Sequence, residues 1–294
     1  MGNFKTAKQM KDEQGIKYLL HKEIPYYDEP RPMSTLHASD LTREDVPFCP
    51  REWCLMLRDG DSRKPKFINT ALSVTFQIGR WYEDQVRNNW LRKYSIGDWV
   101  CTCGHIETGT TVPEHCEKCS VSGGAFTYIE PRAYSDVYGV SCGIDMLRWQ
   151  GGRIHVTEIK SIKGEDFNNL HAPLSEHRRR TAFYLDLLEH SNWMDYDVEF
   201  NLDEAEILYI SKGFGCKDDY KDREGAKDGR ISPFKVFKVK RGSHESMKPI
   251  YDKALEVKHY RETGELPART LCSTITCKRA SKCPVREACF LGKD

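Results

Sequence analysis

Apolar residues recur at mostly helical spacing from about Thr75 to Lys93, where Phe76, Tyr82, Val86 and Trp90 predict one long helix. The same period predicts helices from about Leu174 to His190 and from about His244 to Thr263, and Ser39 stands where it could cap a shorter one. Elsewhere the period drops to two. Arg153-Ile154-His155-Val156-Thr157-Glu158-Ile159-Lys160 alternates and is rich in β-branched residues. It follows Gly143-Ile144-Asp145-Met146-Leu147-Arg148-Trp149 across the turn signal Gln150-Gly151-Gly152, which predicts an antiparallel hairpin. Further strands are predicted near Ala205–Ser211 and Phe234–Val239, separated by a polar, Gly-containing loop over Asp218–Arg230. Residues 1–38 read as a helical start followed by an irregular segment through Pro25, Pro30 and Pro32. Residues 98–125, with short segments, Gly and Cys, read as an inserted module between 39–97 and 126–294.

A chain of 294 residues is long enough for one large domain or two modest ones. The N-terminal stretch Met1 to Lys22 is charged and lacks an apolar secretory core, so the expectation is a cytoplasmic, intracellular protein with no membrane span. With a formal charge of +1, no overall field draws the chain to nucleic acid. Basic residues gather locally at Arg178-Arg179-Arg180 and at Lys235, Lys238, Lys240 and Arg241, although such runs are usually solvated faces. The 12 cysteines change the picture more. In a reducing compartment, clustered thiols point to metal. Cys142 and Cys216 stand alone and read as small apolar residues.

The predicted hairpin carries the candidate chemistry. Glu158 and Lys160 are two residues apart on a strand and leave the same face, while Ile159 points into the core. With Asp145 they form a carboxylate–carboxylate–ammonium set, a poor core but a natural seat for Mg²⁺ or Mn²⁺. Such an ion polarises a phosphodiester and lowers the pKa of a bound water. A D…E-x-K string is common by chance, and its surroundings are what give it weight.

Gly143-x-Asp145, a turn, then Thr157-Glu158-Ile159-Lys160 resembles the PD-(D/E)XK nuclease superfamily, in particular its RecB-like branch. Upstream, Gly79-Arg80-Trp81-Tyr82-Glu83 is similar to that branch's helix motif, with Tyr82 where a His often stands. Downstream, Pro173, His177 and Arg180-Thr181-Ala182-Phe183-Tyr184 follow its Pro, His and Gln-x-x-x-Tyr pattern, with Arg180 in place of Gln. The resemblance implies an α/β fold, a mixed sheet flanked by helices. It implies DNA hydrolysis with Mg²⁺ or Mn²⁺ held by Glu83, Asp145, Glu158 and the carbonyl of Ile159, Lys160 assisting the attacking water, and Arg180 and Tyr184 meeting substrate. The subgroup's usual activity is an exonuclease on single-stranded DNA ends. Trp81, Trp90 and Trp149 are candidates for stacking on bases or, more commonly, for core packing.

Two cysteine groups remain. Cys101-Thr-Cys103-Gly104-His105 and Cys116-Glu-Lys-Cys119 have the form of a zinc ribbon, with two knuckles of two thiolates each and His105 as an alternative ligand. Its role is to stabilise an insertion too small to own a core, or to touch DNA or a partner protein. Cys272, Cys277, Cys283 and Cys289 crowd the C-terminus, and Phe48-Cys49-Pro50-Arg51 stands far upstream. This pattern resembles the iron–sulfur subgroup of RecB-like nucleases, including the CRISPR-associated exonucleases and AddB-type helicase–nucleases. That implies a 4Fe–4S cluster capping the C-terminal end. Five cysteines compete for four positions: Cys49, Cys277, Cys283 and Cys289 are favoured with Cys272 as the substitute, a cluster on the four terminal cysteines alone is the rival, and zinc is an alternative metal. Cys54 reads as a helix residue packing nearby. Two rivals stand beside the nuclease: a non-catalytic DNA-binding or assembly protein on the same fold, and a redox protein built around its cluster.

Overall fold

The structure is a computed structural model describing residues 24, 27–28, 33–60, 66–191, 199–213 and 232–292. The expected N-terminal helix, Pro25, Pro30, Pro32, Cys216 and the Asp218–Arg230 loop lie outside these. Two compact units result: Met1–Pro32 with Ser62–Trp81, and Met33–Asp61 with Tyr82–Asp294. The cysteine module of residues 98–125 belongs to the larger unit.

The smaller unit pairs β1 (Tyr27–Asp28) antiparallel with β3 (Lys66–Phe67) and holds the first part of helix α3 (Thr70–Gln85). From Tyr82 onward that helix belongs to the larger unit. It does not run on to Lys93 as an α-helix: Val86–Trp90 forms a π turn closed by the Leu91 N–H on the Val86 carbonyl at 2.8 Å. A π turn adds one residue and shifts the helical phase. Leu91 thereby takes the inward position, and Trp90, expected on the apolar stripe, faces out; Phe76 is exposed as well.

In the larger unit the elements are β2 (Leu36–His37), α1 (Ala38–Thr42), α2 (Pro50–Arg58), β4 (Gly97–Cys101), β5 (Ile106–Gly109), β6 (Phe126–Tyr128), β7 (Arg132–Ser135), β8 (Val140–Gly143), β9 (Met146–Gln150), β10 (Arg153–Ile162), α4 (Gly164–Asn168), α5 (Ser175–Glu189), β11 (Glu204–Ser211), β12 (Phe234–Lys240), α6 (His244–Thr263) and α7 (Arg286–Leu291). Three sheets follow: β12-β11-β10-β9, β2-β8-β7 and β5-β4-β6. The chain is mixed α/β. β9 and β10 form the expected hairpin, with Gly151 and Gly152 at φ +61° and +82°, the two positive values a two-residue type I′ turn requires. β10 also pairs parallel with β11 from Thr157 to Ile162, so its first half lies beside β9 and its second half beside β11. The cap of α1 is His37, whose N–H donates to Asp40 Oδ2 at 3.2 Å, rather than Ser39.

The main core gathers around α5, α6, α1 and α2, through Phe183, Leu187, Ile250, Tyr251, Leu41 and Cys54. Asp186, buried within it, is satisfied by Tyr251 Oη at 2.5 Å and Arg241 Nε at 2.6 Å. Arg241, Arg179, Arg180 and Lys238 all meet acidic partners, and Lys235 caps the Phe167 carbonyl at 2.7 Å. The basic runs are thus largely neutralised locally. No helix among the described residues is long and apolar enough to cross a membrane.

Candidate cation centre and cysteine sites

Asp145 does not sit on the hairpin strand as expected. Ile144 and Asp145 form the break between β8 and β9, where the chain leaves one sheet for another. The β9–β10 ladder ends at Met146–Thr157, and the Asp145 carboxylate takes the Ile159 N–H at 2.7 Å in place of a strand partner. Period two then operates as read. Ile159 is buried among Val86, Met146, Leu208 and Ile210, and Glu158 and Lys160 leave the opposite face.

Lys160 Nζ gathers three oxygens: Asp145 Oδ2 at 3.2 Å, Glu158 Oε1 at 2.7 Å and the Ile159 carbonyl at 2.9 Å. Asp145 and Glu158 thus point to one place, their oxygens no farther apart than two such contacts laid end to end. Glu158 is 1% exposed, and its second oxygen, Oε2, is buried with no hydrogen-bond partner among the described residues. An unpaired buried carboxylate oxygen is costly and calls for a proton or a cation.

The electrostatics agree. Burial, and then the Asp145 charge, push both Glu83 and Glu158 up to about 7. Lys160 and Arg87 oppose this at Glu83, as Lys160 does at Glu158, which places Glu83 within the same field. Burial acts to lower Lys160, but Asp145 and Glu158 outweigh it and hold the ammonium charged. His177 is pushed down to about 4, by burial first and then by Lys160 and Arg180. Its Nδ1 lies 2.8 Å from Tyr209 Oη, which already accepts the Leu174 N–H at 3.1 Å. Tyr209 Oη and His177 Nδ1 thus share one hydrogen bond that anchors the imidazole. Tyr184 is buried, its hydroxyl raised by burial and then by Glu158. Arg180 pairs with Glu176 and reaches Thr42 Oγ1 at 3.5 Å.

Motif reasoning missed Glu130, Arg87 and Tyr209, which lie outside the resemblance's pattern. Arg87 Nη1 donates to the Asp145 carbonyl at 3.3 Å and lies 3.5 Å from Glu130 Oε2. Trp81, Trp90 and Trp149 are 53%, 47% and 38% exposed, so none is a core residue.

The raised carboxyls have a consequence for stability. Their folded pKa of about 7 lies above the ordinary 4.5, so the native state holds protons that the unfolded chain has released. Their stabilisation is complete below 4.5 and is lost as pH rises through about 7. His177 acts oppositely, but only between about 4 and its ordinary 6.5. Between about pH 6.5 and 8, without added divalent cation, stability should fall by on the order of 1–3 kcal/mol, and Mn²⁺ should restore it. Thermal melts across that window check this; a Tm flat or rising with pH contradicts it.

Among the described residues, Cys101, Cys103, Cys116 and Cys119 are the group of metal-ligating side chains whose ligand atoms all lie within 4.8 Å of one another, and they could hold a metal ion. Cys101–Cys119 and Cys103–Cys116 are each separated by 3.7 Å between sulfurs. Gly104, at φ +84°, permits the first knuckle, and its N–H returns to the Cys101 carbonyl at 2.8 Å. His105 instead faces Glu107 at 3.8 Å. The module has a small core of its own, with Trp99, Phe126 and Tyr128 packed beside Cys101 and Cys116.

The terminal cysteines are arranged differently. Cys49, Cys272, Cys283 and Cys289 line one cavity with Arg51, Arg269, Arg279 and Arg286, and Cys277 stands near Cys272. Cys49 is the N-cap of α2, its sulfur accepting the Glu52 N–H at 3.4 Å, with Pro50 in the first turn. Arg51 is buried and ties this start to the C-terminal segment through the Pro267 carbonyl at 2.9 Å. Cys277 accepts the Ala280 N–H at 3.3 Å. Cys54 and Cys142 are buried core residues. Compared with known proteins, the chain matches no family model and no curated sequence.

Proposed function

We propose that the chain is a divalent-metal-dependent DNA nuclease of the PD-(D/E)XK kind, RecB-like, acting as an exonuclease on single-stranded ends. One observation carries the reading. Asp145, Glu158 and the Ile159 carbonyl converge on a single cationic atom, and among the described residues the buried Glu158 Oε2 has no hydrogen-bond partner. An oxygen-only set of this kind suits Mg²⁺ or Mn²⁺.

Glu83, Asp145, Glu158 and the Ile159 carbonyl would hold the ion, which when bound polarises the phosphodiester and acidifies a water. The chain's own groups supply the rest. Lys160, held as an ammonium, steadies negative charge as the phosphorus gains its fifth oxygen, and is no base while so charged. His177, neutral at pH 7 and anchored by Tyr209, offers a hydrogen-bonding ring rather than a charge. Exposed Trp90, in ring contact with Phe234 at 5.7 Å, offers a surface on which unpaired bases could stack.

For the cysteines we infer zinc in the ribbon and a 4Fe–4S cluster in the terminal cavity. A tetrahedral zinc with Zn–S of about 2.3 Å spaces its sulfurs about 3.8 Å apart, a spacing the Cys101–Cys119 and Cys103–Cys116 pairs already have. The terminal set, spread around a cavity with N–H donors on Cys49 and Cys277, suits a larger cluster. Protein purified anaerobically is expected to hold about one zinc and about four irons per chain. With Mn²⁺ it should cut labelled single-stranded DNA. Binding without cutting under any divalent metal would instead favour the non-catalytic reading.

A further inference from the structure

We propose that the terminal cysteine cavity houses a cluster that takes up one electron, its reduction potential set from opposite sides by Arg279 and Glu52. The inference rests on the 4Fe–4S reading of that cavity and gives the cluster a function beyond tying chain ends together.

The cavity wall carries four arginines, Arg51, Arg269, Arg279 and Arg286, against one carboxylate, Glu52, beside Cys49, Cys272, Cys283 and Cys289. Among the described residues these sulfurs form no set of three within 4.8 Å of one another, so the cavity suits a group wider than a single ion. A 4Fe–4S cluster on four thiolates is anionic, and an electron taken up adds one more negative charge. A guanidinium in the wall therefore favours the reduced form and a carboxylate opposes it.

Arg279 and Glu52 are placed to exert both effects. Arg279 Nη2 lies 3.2 Å from Glu52 Oε2, and the two also line a second, more open cavity that they share with Cys49. The Glu52 N–H donates to Cys49 Sγ at 3.4 Å, so the carboxylate belongs to the residue bound to that sulfur. Burial dominates at Cys49, and behind it the Glu52 and Arg279 charges act with opposite signs. Beyond burial, the Glu52 charge also reaches Cys283 and the Arg279 charge reaches Cys272. The N–H donors on Cys49 and Cys277 favour the more negative state as well.

The test is a redox titration of the anaerobically purified full chain with dithionite and mediators, the reduced cluster being followed by electron paramagnetic resonance. Dithionite supplies one electron per cluster, and no bond or proton moves at either side chain. Arg279→Gln is expected to lower the equilibrium constant for reduction roughly 10-fold, about 59 mV in potential. Glu52→Gln, which keeps the N–H on Cys49, is expected to raise it by a similar amount, and Arg279→Lys to leave it near the parent value. A loosened or wetter cavity would instead move Arg279→Gln and Glu52→Gln the same way. Shifts of one sign, or none, with about four irons retained, overturn the proposal, as does a parent cluster that dithionite leaves oxidised. The cluster assignment survives each of these. Should Arg279→Gln lose its iron, Glu52→Gln decides alone: a rise supports the role of the pair and any other result refutes it. A parent without iron overturns the proposal and the cluster reading together.

Discussion

Lys160→Ala is expected to lower the rate of DNA cleavage by about 10²–10³-fold while leaving Mn²⁺ binding intact. The ammonium is held by Asp145, Glu158 and the Ile159 carbonyl, so its loss removes positive charge where the phosphorane becomes most negative. It also removes the cation that competes with the metal for the same oxygens, so Mn²⁺ affinity should hold or rise. Asp145→Asn makes the complementary test. The amide oxygen can still accept the Ile159 N–H, so the backbone junction survives. The negative charge that Asp145 would bring to the ion is gone, and both metal binding and cleavage should disappear. Single-turnover cleavage of labelled single-stranded DNA, with Mn²⁺ titrated for each variant, separates the two effects. Cleavage at the parent rate in Lys160→Ala would place the chemistry elsewhere in the chain.

Much of this centre was legible because strand periodicity fixes facing. Once residues 153–160 read as a strand, Glu158 and Lys160 had to share a face and Ile159 had to be buried, and they do. The exact station of Asp145 was not legible. Alternation shows which face a residue takes but not where a strand abandons its sheet, and Asp145 stands at that switch between β8 and β9. The π turn at Val86–Trp90 hid for a related reason: one extra residue moved Trp90 outward and Leu91 inward, against a pattern read with one fixed period. The ribbon cysteines announced themselves because knuckle spacing is local. The terminal set showed only as a crowd. Cys272 lines the cavity although it had been ranked the substitute, while Cys277 reaches the group through Cys272. Glu130 gave no signal, since its contacts with Gly143 and Arg87 are ones that only tertiary structure creates.

Cys116→Ser is expected to cost the ribbon its metal and, with it, part of the cation centre. A structural zinc contributes roughly 10–16 kcal/mol of apparent binding free energy. The ribbon's few packed residues, Trp99, Phe126 and Tyr128 among them, are too small a core to replace that. The damage should not stay local. Tyr128, on the last ribbon strand, donates its hydroxyl to the Ile96 carbonyl at 2.8 Å and accepts the Leu147 N–H at 3.1 Å, two residues from Asp145. Its own N–H is bound by Asn88 Oδ1 at 2.7 Å, beside Arg87 on the π turn. Two residues further on stands Glu130. A ribbon that melts therefore loosens β9, the π turn and the Glu130 carboxylate together. The variant should contain no ribbon zinc, expose residues 97–128 to rapid hydrogen exchange, and bind Mn²⁺ more weakly, while α5 and α6 keep their protection. Because Cys116 is remote in sequence from every proposed Mn²⁺ ligand, unchanged Mn²⁺ binding in a zinc-free ribbon would show that Tyr128 does not couple the two sites.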